Sequence, residues 1–196
     1  MLSLKNSLAV LKKTKALIDG HFVLSSGLHS PSYVQCAKLL SYPKKSKKFC
    51  LSLSKKIKKN IKYIDLILSP AIGGIVVGYE IGRLLNKETI FCERVKGKFN
   101  LRRGFFIKKN SKVLIVEDVI TTGKSSLECV RLIKKSKAKL VGFACLIDRS
   151  NKQTLKIKNK KIISQVKIDI PTYKHNKLPN SLKEIPITKP GSRFLK

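Results

Sequence analysis

Two adjacent carboxylates, Glu117 and Asp118, end the apolar run Val113-Leu114-Ile115-Val116 and are followed at once by Val119-Ile120-Thr121-Thr122-Gly123-Lys124-Ser125-Ser126. The apolar run reads as a buried strand and Leu127-Glu128-Cys129-Val130 as the opening of a helix, so the polar residues fall in the turn between them. Such a turn offers backbone N–H groups and hydroxyls at a helix N-terminus, where a phosphate monoester is best held. The carboxylates can accept hydrogen bonds from vicinal sugar hydroxyls, or help to position a cation bridging to them. Together these groups describe a cradle for a ribose 5-phosphate. An ordinary helix cap would need the hydroxyls but not the paired acids. A Gly-x-x-x-x-Gly-Lys-Ser nucleotide loop is excluded by spacing, because Asp118 occupies the place of its first glycine.

The cradle needs a scaffold, and the flanking sequence alternates strand and helix. Tyr63 to Leu68 reads as a strand, Gly74 to Leu85 as a helix, Glu88 to Cys92 as a strand and Leu140 to Ile147 as another. This order predicts an α/β fold with a mainly parallel twisted sheet flanked by helices. In such sheets ligands gather at the C-terminal strand ends, where Ser69-Pro70, Glu93-Arg94, Glu117-Asp118 and Asp148-Arg149 should converge. Glu93 to Gly104 is basic, glycine-containing and without periodicity, hence a loop. Upstream, the spacing of Leu4, Leu8, Leu11 and Leu17 predicts a helix that stops at Asp19-Gly20. Two short strands, His21 to Leu24 and Ser32 to Cys36, flank a bend at Ser25-Ser26-Gly27. A lysine-rich helix follows over Pro43 to Asn60, with Phe49, Leu53 and Ile57 inward. Residues after Thr172 read as an extended tail with one short helix. At 196 residues the chain is expected to form a single domain, with a small N-terminal hood of about 1–40 plus the C-terminal segment and a core of about 43–172.

The formal charge of +32 invites a nucleic-acid reading. The excess is mostly lysine, spread along the chain in doublets such as Lys12-Lys13, Lys44-Lys45, Lys58-Lys59 and Lys134-Lys135, without the interleaved aromatics of single-strand binders. No specific nucleic-acid partner is expected from that pattern. No apolar run is long enough to span a membrane. Cys36, Cys50, Cys92, Cys129 and Cys145 are scattered among apolar neighbours and read as reduced packing residues of a cytoplasmic protein.

The run from Val113 to Ser126 resembles the 5-phosphoribosyl-1-diphosphate (PRPP) signature of the type I phosphoribosyltransferases, with Lys124 where glycine is commoner. The resemblance implies that Glu117, Asp118, Val119, Ile120, Thr121, Thr122, Gly123, Lys124 and Ser125 bind PRPP. Ser69-Pro70-Ala71-Ile72-Gly73-Gly74 looks like the family's diphosphate loop, with Ala71, Ile72 and Gly73 at its centre. Gly20-His21-Phe22-Val23-Leu24-Ser25-Ser26-Gly27-Leu28-His29-Ser30-Pro31 resembles the opening of the orotate phosphoribosyltransferases, in which a small hood covers the base. Glu93-Arg94, Leu101-Arg102-Arg103-Gly104, Asp148-Arg149-Ser150 and Lys189-Pro190-Gly191-Ser192-Arg193 extend the similarity over almost the whole chain. It implies substrates PRPP and orotate, with Thr121 and Arg149 as orotate contacts. It also implies Mg²⁺ carried by PRPP rather than by a protein-only metal site, and a homodimer. Arg94, Lys96 and Lys98 become the catalytic candidates, joined by Arg102 and Arg103 in a clamp on the departing diphosphate. A guanidinium suits a ring carboxylate because its planar fork matches the two oxygens.

Three positions depart from the pattern. Ser25 stands where many orotate enzymes carry lysine or arginine, which leaves that contact missing or supplied by His29. The basic loop lacks the histidine of longer-loop bacterial forms, so no general acid is assigned from it. Leu178-Pro179-Asn180-Ser181 has no cysteine where some relatives carry Cys-Pro-x-Cys. The alternatives are a purine-base phosphoribosyltransferase and a non-catalytic regulator of the same fold that binds nucleotide or nucleic acid.

Overall fold

The computed structural model describes residues 1–24, 26–150, 155–157 and 162–188; Ser25 and the Lys189 to Arg193 segment lie outside them. In chain order the elements are α1 Leu4–Lys13, β1 Leu17–Val23, β2 His29–Val34, α2 Cys36–Leu40, α3 Pro43–Asn60, β3 Leu66–Pro70, α4 Gly73–Leu85, β4 Glu88–Val95, β5 Lys98–Leu101, β6 Lys112–Ile120, α5 Lys124–Lys135, β7 Lys139–Asp148 and β8 Ile162–Lys167. A 3-10 turn at His175–Lys177, a short α6 at Asn180–Lys183 and β9 at Ile187–Thr188 follow. The larger sheet runs β5-β4-β3-β6-β7-β8, parallel except for the β4–β5 pair.

Period-two alternation along β6 divides the core. Leu114 and Val116 face a layer built from Phe49, Leu53 and Ile57 of α3 and Val77 and Ile81 of α4. Val113 and Ile115 face Cys129 and Ile133 of α5 on the other side. With both faces covered, the central strands need apolar residues at successive positions, hence the unbroken Val-Leu-Ile-Val. Gly74, Gly78 and Gly82 form a stripe along α4 that lets the helix lie close to the sheet. A Cβ built on Gly74 would stand 3.2 Å from the Val116 carbonyl, and one on Gly78 would overlap Ser69 Oγ.

α3 spans the predicted Pro43 to Asn60, opened by proline in its first turn. Three expectations need correction. The first helix ends at Lys13 rather than Asp19-Gly20: the Thr14 hydroxyl donates to the Val10 carbonyl at 2.8 Å, Lys15 turns at φ 54°, and Leu17 already pairs with Val34 across β1 and β2. Leu17 matched a helical spacing by coincidence, and strand pairing took its backbone. Glu93 to Gly104 is mostly a hairpin rather than a loop. Val95 pairs with Lys98 around Lys96 (φ 47°) and Gly97 (φ 77°), the two-residue turn whose left-handed backbone matches strand twist. Phe99 is buried between exposed neighbours, an alternation hidden by the surrounding lysines and arginines. The tail is not merely extended. β9 pairs in parallel with β1 to complete a three-stranded sheet ordered β2-β1-β9, Tyr173 bridges to His29, and Leu182 is buried. The edge of β1 supplies the order that so short and aperiodic a segment lacks.

Candidate active site

The parallel register brings the C-terminal ends of β3, β4, β6 and β7 to one edge of the sheet, so the four polar pairs do converge there. Side chains alternate along β6, and the two carboxylates therefore leave it on opposite faces. Glu117 is 7 % exposed and accepts from the Ser126 hydroxyl under the first turn of α5. Asp118 faces the β3–α4 turn: a Cβ on Gly73 would lie 2.5 Å from its Oδ2. Only glycine lets Ala71-Ile72-Gly73 approach that carboxylate, which sets the candidate diphosphate loop beside the candidate ribose acids.

Burial raises Glu117 to a pKa of about 7; the Ser126 hydrogen bond works against this, and the neighbouring Asp118 charge adds to it. Asp118 is also raised by burial, opposed by the Val119 backbone N–H and its own. An acid poised near neutrality at a strand end is ready to be ionised by a ligand that donates hydrogen bonds.

Glu117, Val119, Ile120, Thr121, Thr122, Gly123, Lys124 and Ser125 line a small cavity of about 160 Å³, sized for a phosphate group and part of a sugar. Gly123 sits at φ 72° before the first residue of α5, a left-handed cap in which the chain turns sharply into the helix. A Cβ there would meet Ile157 at 2.7 Å, so close packing as well as backbone favours glycine.

Arg149 follows β7 and is tied to the turn: its N–H donates to the Ile120 carbonyl at 2.8 Å, which places it beside Thr121. Its Nε is buried without a hydrogen-bond partner among the described residues. Burial lowers its pKa, partly offset by Tyr33 of β2 nearby. A buried guanidinium N–H left without an acceptor is costly unless a ligand supplies one. Asp148 is not its partner, since its Oδ1 accepts from the Ser150 N–H at 2.8 Å.

The loop cations are placed differently. Arg94 forks onto Glu128 of α5 at 2.8 and 3.1 Å, donates to the Gly97 carbonyl at 2.6 Å and stacks 4.1 Å above the Phe99 ring. Arg103 pairs with Glu93 at 3.2 Å, and Lys96 and Lys98 are exposed on the hairpin. None of these four, nor Arg102, which lies 3.9 Å from Glu93, lines the cavity over the turn, so the structure brings together the candidate PRPP run, the candidate diphosphate loop and Arg149 but holds the basic segment apart. His29 does not reach toward Arg149 either. It accepts or donates between His21 Nε2 at 2.6 Å and His175 Nδ1 at 3.3 Å, in a chain that ends on the Ile185 carbonyl at 3.1 Å. The three histidines thus join β1, β2 and the C-terminal segment. Sequence reasoning also missed Ser126 and Glu128 as carboxylate and arginine partners. Ser126 lay in view, nine residues from Glu117, but only the strand-to-helix fold aims it back.

Among the described residues no group of three His, Cys, Asp or Glu side chains is arranged to hold a metal ion. The hard oxygen donors suited to Mg²⁺ are Asp118 and the turn hydroxyls, a set that fits an ion shared with a phosphorylated substrate. All five cysteines are free and buried. Among the described residues no helix is long and apolar enough to cross a membrane.

The family model for the phosphoribosyl transferase domain matches residues 44–176. Orotate phosphoribosyltransferase of Parvibaculum lavamentivorans is 46 % identical over 185 residues, covering 94 % of each chain. Among solved structures, orotate phosphoribosyltransferase from Aeropyrum pernix superposes with a TM-score of 0.69 at 20 % identity, over 82 % of this chain and 92 % of that one. Adenine phosphoribosyltransferase from Thermoanaerobacter pseudethanolicus gives 0.61 at 16 % identity, over 70 % and 88 %. The two structural likenesses share a fold across different bases, so the fold alone does not choose the acceptor.

Proposed function

The chain belongs to the type I phosphoribosyltransferase family, and from that premise we propose that it transfers the 5-phosphoribosyl group of PRPP to orotate, giving orotidine 5′-monophosphate and diphosphate in the de novo synthesis of pyrimidine nucleotides. The observation that carries the choice of acceptor is the half-buried Arg149 beside Thr121, whose Nε has no hydrogen-bond partner among the described residues. Orotate brings a carboxylate to that guanidinium, and a purine base brings none. The high identity to an enzyme named for orotate supports the same choice.

The turn from Thr121 to Ser125 holds the 5-phosphate, Glu117 and Asp118 accept from the ribose hydroxyls, and Ala71, Ile72 and Gly73 approach the diphosphate. N1 of orotate attacks C1 of PRPP with inversion as the bond to diphosphate breaks; the bonding pair leaves with the diphosphate, and the N1 proton passes to solvent. Charge therefore grows on the leaving group, and stabilising it is the main catalytic lever. Arg94, Lys96 and Lys98 supply the opposing positive charge once the hairpin moves from α5 toward the substrates, assisted by Arg102 and Arg103. Mg²⁺, when bound with PRPP, neutralises part of the diphosphate charge. The assembly is a homodimer, supported by Val76 and Tyr79 of α4, exposed at 54 % and 67 %. The hood and core act as one domain, and the five free cysteines suit a reducing cytoplasm.

Purified protein mixed with PRPP, Mg²⁺ and orotate should consume orotate absorbance. Turnover with adenine or hypoxanthine and not with orotate would transfer the assignment to a purine substrate. Absence of turnover with all three would leave a non-catalytic regulator.

A further inference from the structure

Lys124 belongs to two cavities. One lies over the turn; the other, of about 390 Å³, is enclosed by the β4–β5 hairpin, α5 and Lys156. Arg94, Lys98, Lys124, Arg131 and Lys156 line this second cavity, with Glu128 as its single carboxylate. Glu128 is engaged by Arg94. Lys98, Lys124, Arg131 and Lys156 have no ion-pair partner among the described residues. Four unmatched cations facing one concavity repel each other, and a multivalent anion relieves all of those repulsions together.

The general lysine excess does not account for this arrangement. Doublets such as Lys58-Lys59 lie exposed on a single helix, whereas these cations come from a hairpin, a helix and a segment after β7. The last is fixed to the turn, since the Lys156 N–H donates to the Thr122 carbonyl at 2.9 Å. Arg94 is ordered as well, forked on Glu128 and stacked on Phe99. Among the described residues Leu127 is the one apolar side chain in the wall, and none of them offers a ring to a base. The chemistry favours phosphate oxygens over a nucleobase.

We propose that this cavity is a second anion site that binds an oligophosphate chain, either free or as the tail of a nucleoside triphosphate. Its occupant would hold the hairpin on α5, and with it Arg94 and Lys98. That consequence rests on their assignment to the diphosphate, whereas the binding itself does not. The test is calorimetric titration of the full chain with inorganic tripolyphosphate and, separately, with UTP, at about 150 mM KCl to suppress diffuse attraction. Arg131→Ser with Lys156→Ser should weaken binding by at least about tenfold, while Lys58→Ser with Lys59→Ser, which removes the same charge, should change it by less than about twofold. Equal losses for both probes assign the cavity to the phosphate chain itself; a loss confined to UTP assigns it to a nucleotide tail. Equal weakening by the two double variants, or no weakening by the first, would overturn the site. No turnover is measured, so this failure is distinct from failure of the proposed reaction.

Discussion

Glu117→Gln should make the ligand-free protein more stable while impairing the site. The Glu117 carboxyl is buried and raised to about 7 from 4.5, with burial as the main cause. Between those values the folded state keeps a proton that the unfolded state has released. The protonated carboxyl therefore contributes stability that is fully present below pH 4.5 and is lost as pH rises through about 7. At about 1.4 kcal/mol per pKa unit, ionising the buried acid costs up to about 3 kcal/mol at pH 8. Glutamine keeps the shape and can still accept from the Ser126 hydroxyl, but never ionises. For a chain of this length, that difference raises Tm by up to roughly 10 °C. Thermal unfolding followed by circular dichroism without ligand should give the two proteins the same Tm near pH 4.5, diverging above pH 7 with the variant higher. PRPP should reverse the order by protecting wild type more, because ribose hydroxyls donate to a carboxylate better than to an amide oxygen. A variant Tm at pH 8 equal to or below wild type would refute the claim that burial, rather than hydrogen bonding, governs this acid.

Asp118→Asn combined with Glu117→Gln should lower turnover by at least about tenfold, about 1.4 kcal/mol of barrier, and unchanged kinetics would remove both acids from the ribose contact. Arg149→Ala should raise the KM for orotate by at least about tenfold with a smaller change in the KM for PRPP, as expected when one partner of a desolvated charge pair is deleted; equal effects on both substrates would argue against a carboxylate contact. Gly78→Ala should cost at least about 1–3 kcal/mol in urea unfolding, because the new methyl overlaps Ser69 Oγ where helix and strand cannot separate, and a neutral result would show that α4 can shift. His29 is held below its ordinary pKa by burial and by His21 and His175, so its neutral form contributes stability that is lost as pH falls below 6.5. Protection factors of the β1 and β9 amides, corrected for the intrinsic pH dependence of exchange, should therefore fall in mild acid in wild type and lose most of that fall in His29→Gln.

The sequence made most of the substrate-facing edge legible because each part is local. A strand, its terminal acids and the following turn lie within fourteen consecutive residues, and β6 with α5 forms where their pattern predicts. Arg149 was legible for the same reason, as the residue following a strand. What escaped was nonlocal. β9 exists because β1 has an open edge, and the histidine chain exists because three distant segments meet there.

The basic segment shows why local legibility has a limit. Its composition announced anion chemistry, yet charge carries no direction, and exposed arginines settle on the nearest acid that the fold provides. Here α5 provides Glu128, three residues beyond the phosphate turn, and the hairpin geometry aims Arg94 at it. The same helix therefore presents its first turn to the proposed phosphate site and its flank to the cations proposed to neutralise the diphosphate. If Arg94 must leave Glu128 to act, the strength of that pair enters the rate. Glu128→Gln would then free the hairpin and raise the fraction competent to close, whereas an Arg94 that acts from where it stands would lose its orientation and turnover would fall. The sign of the change in kcat separates a hairpin that moves from one that is already in place.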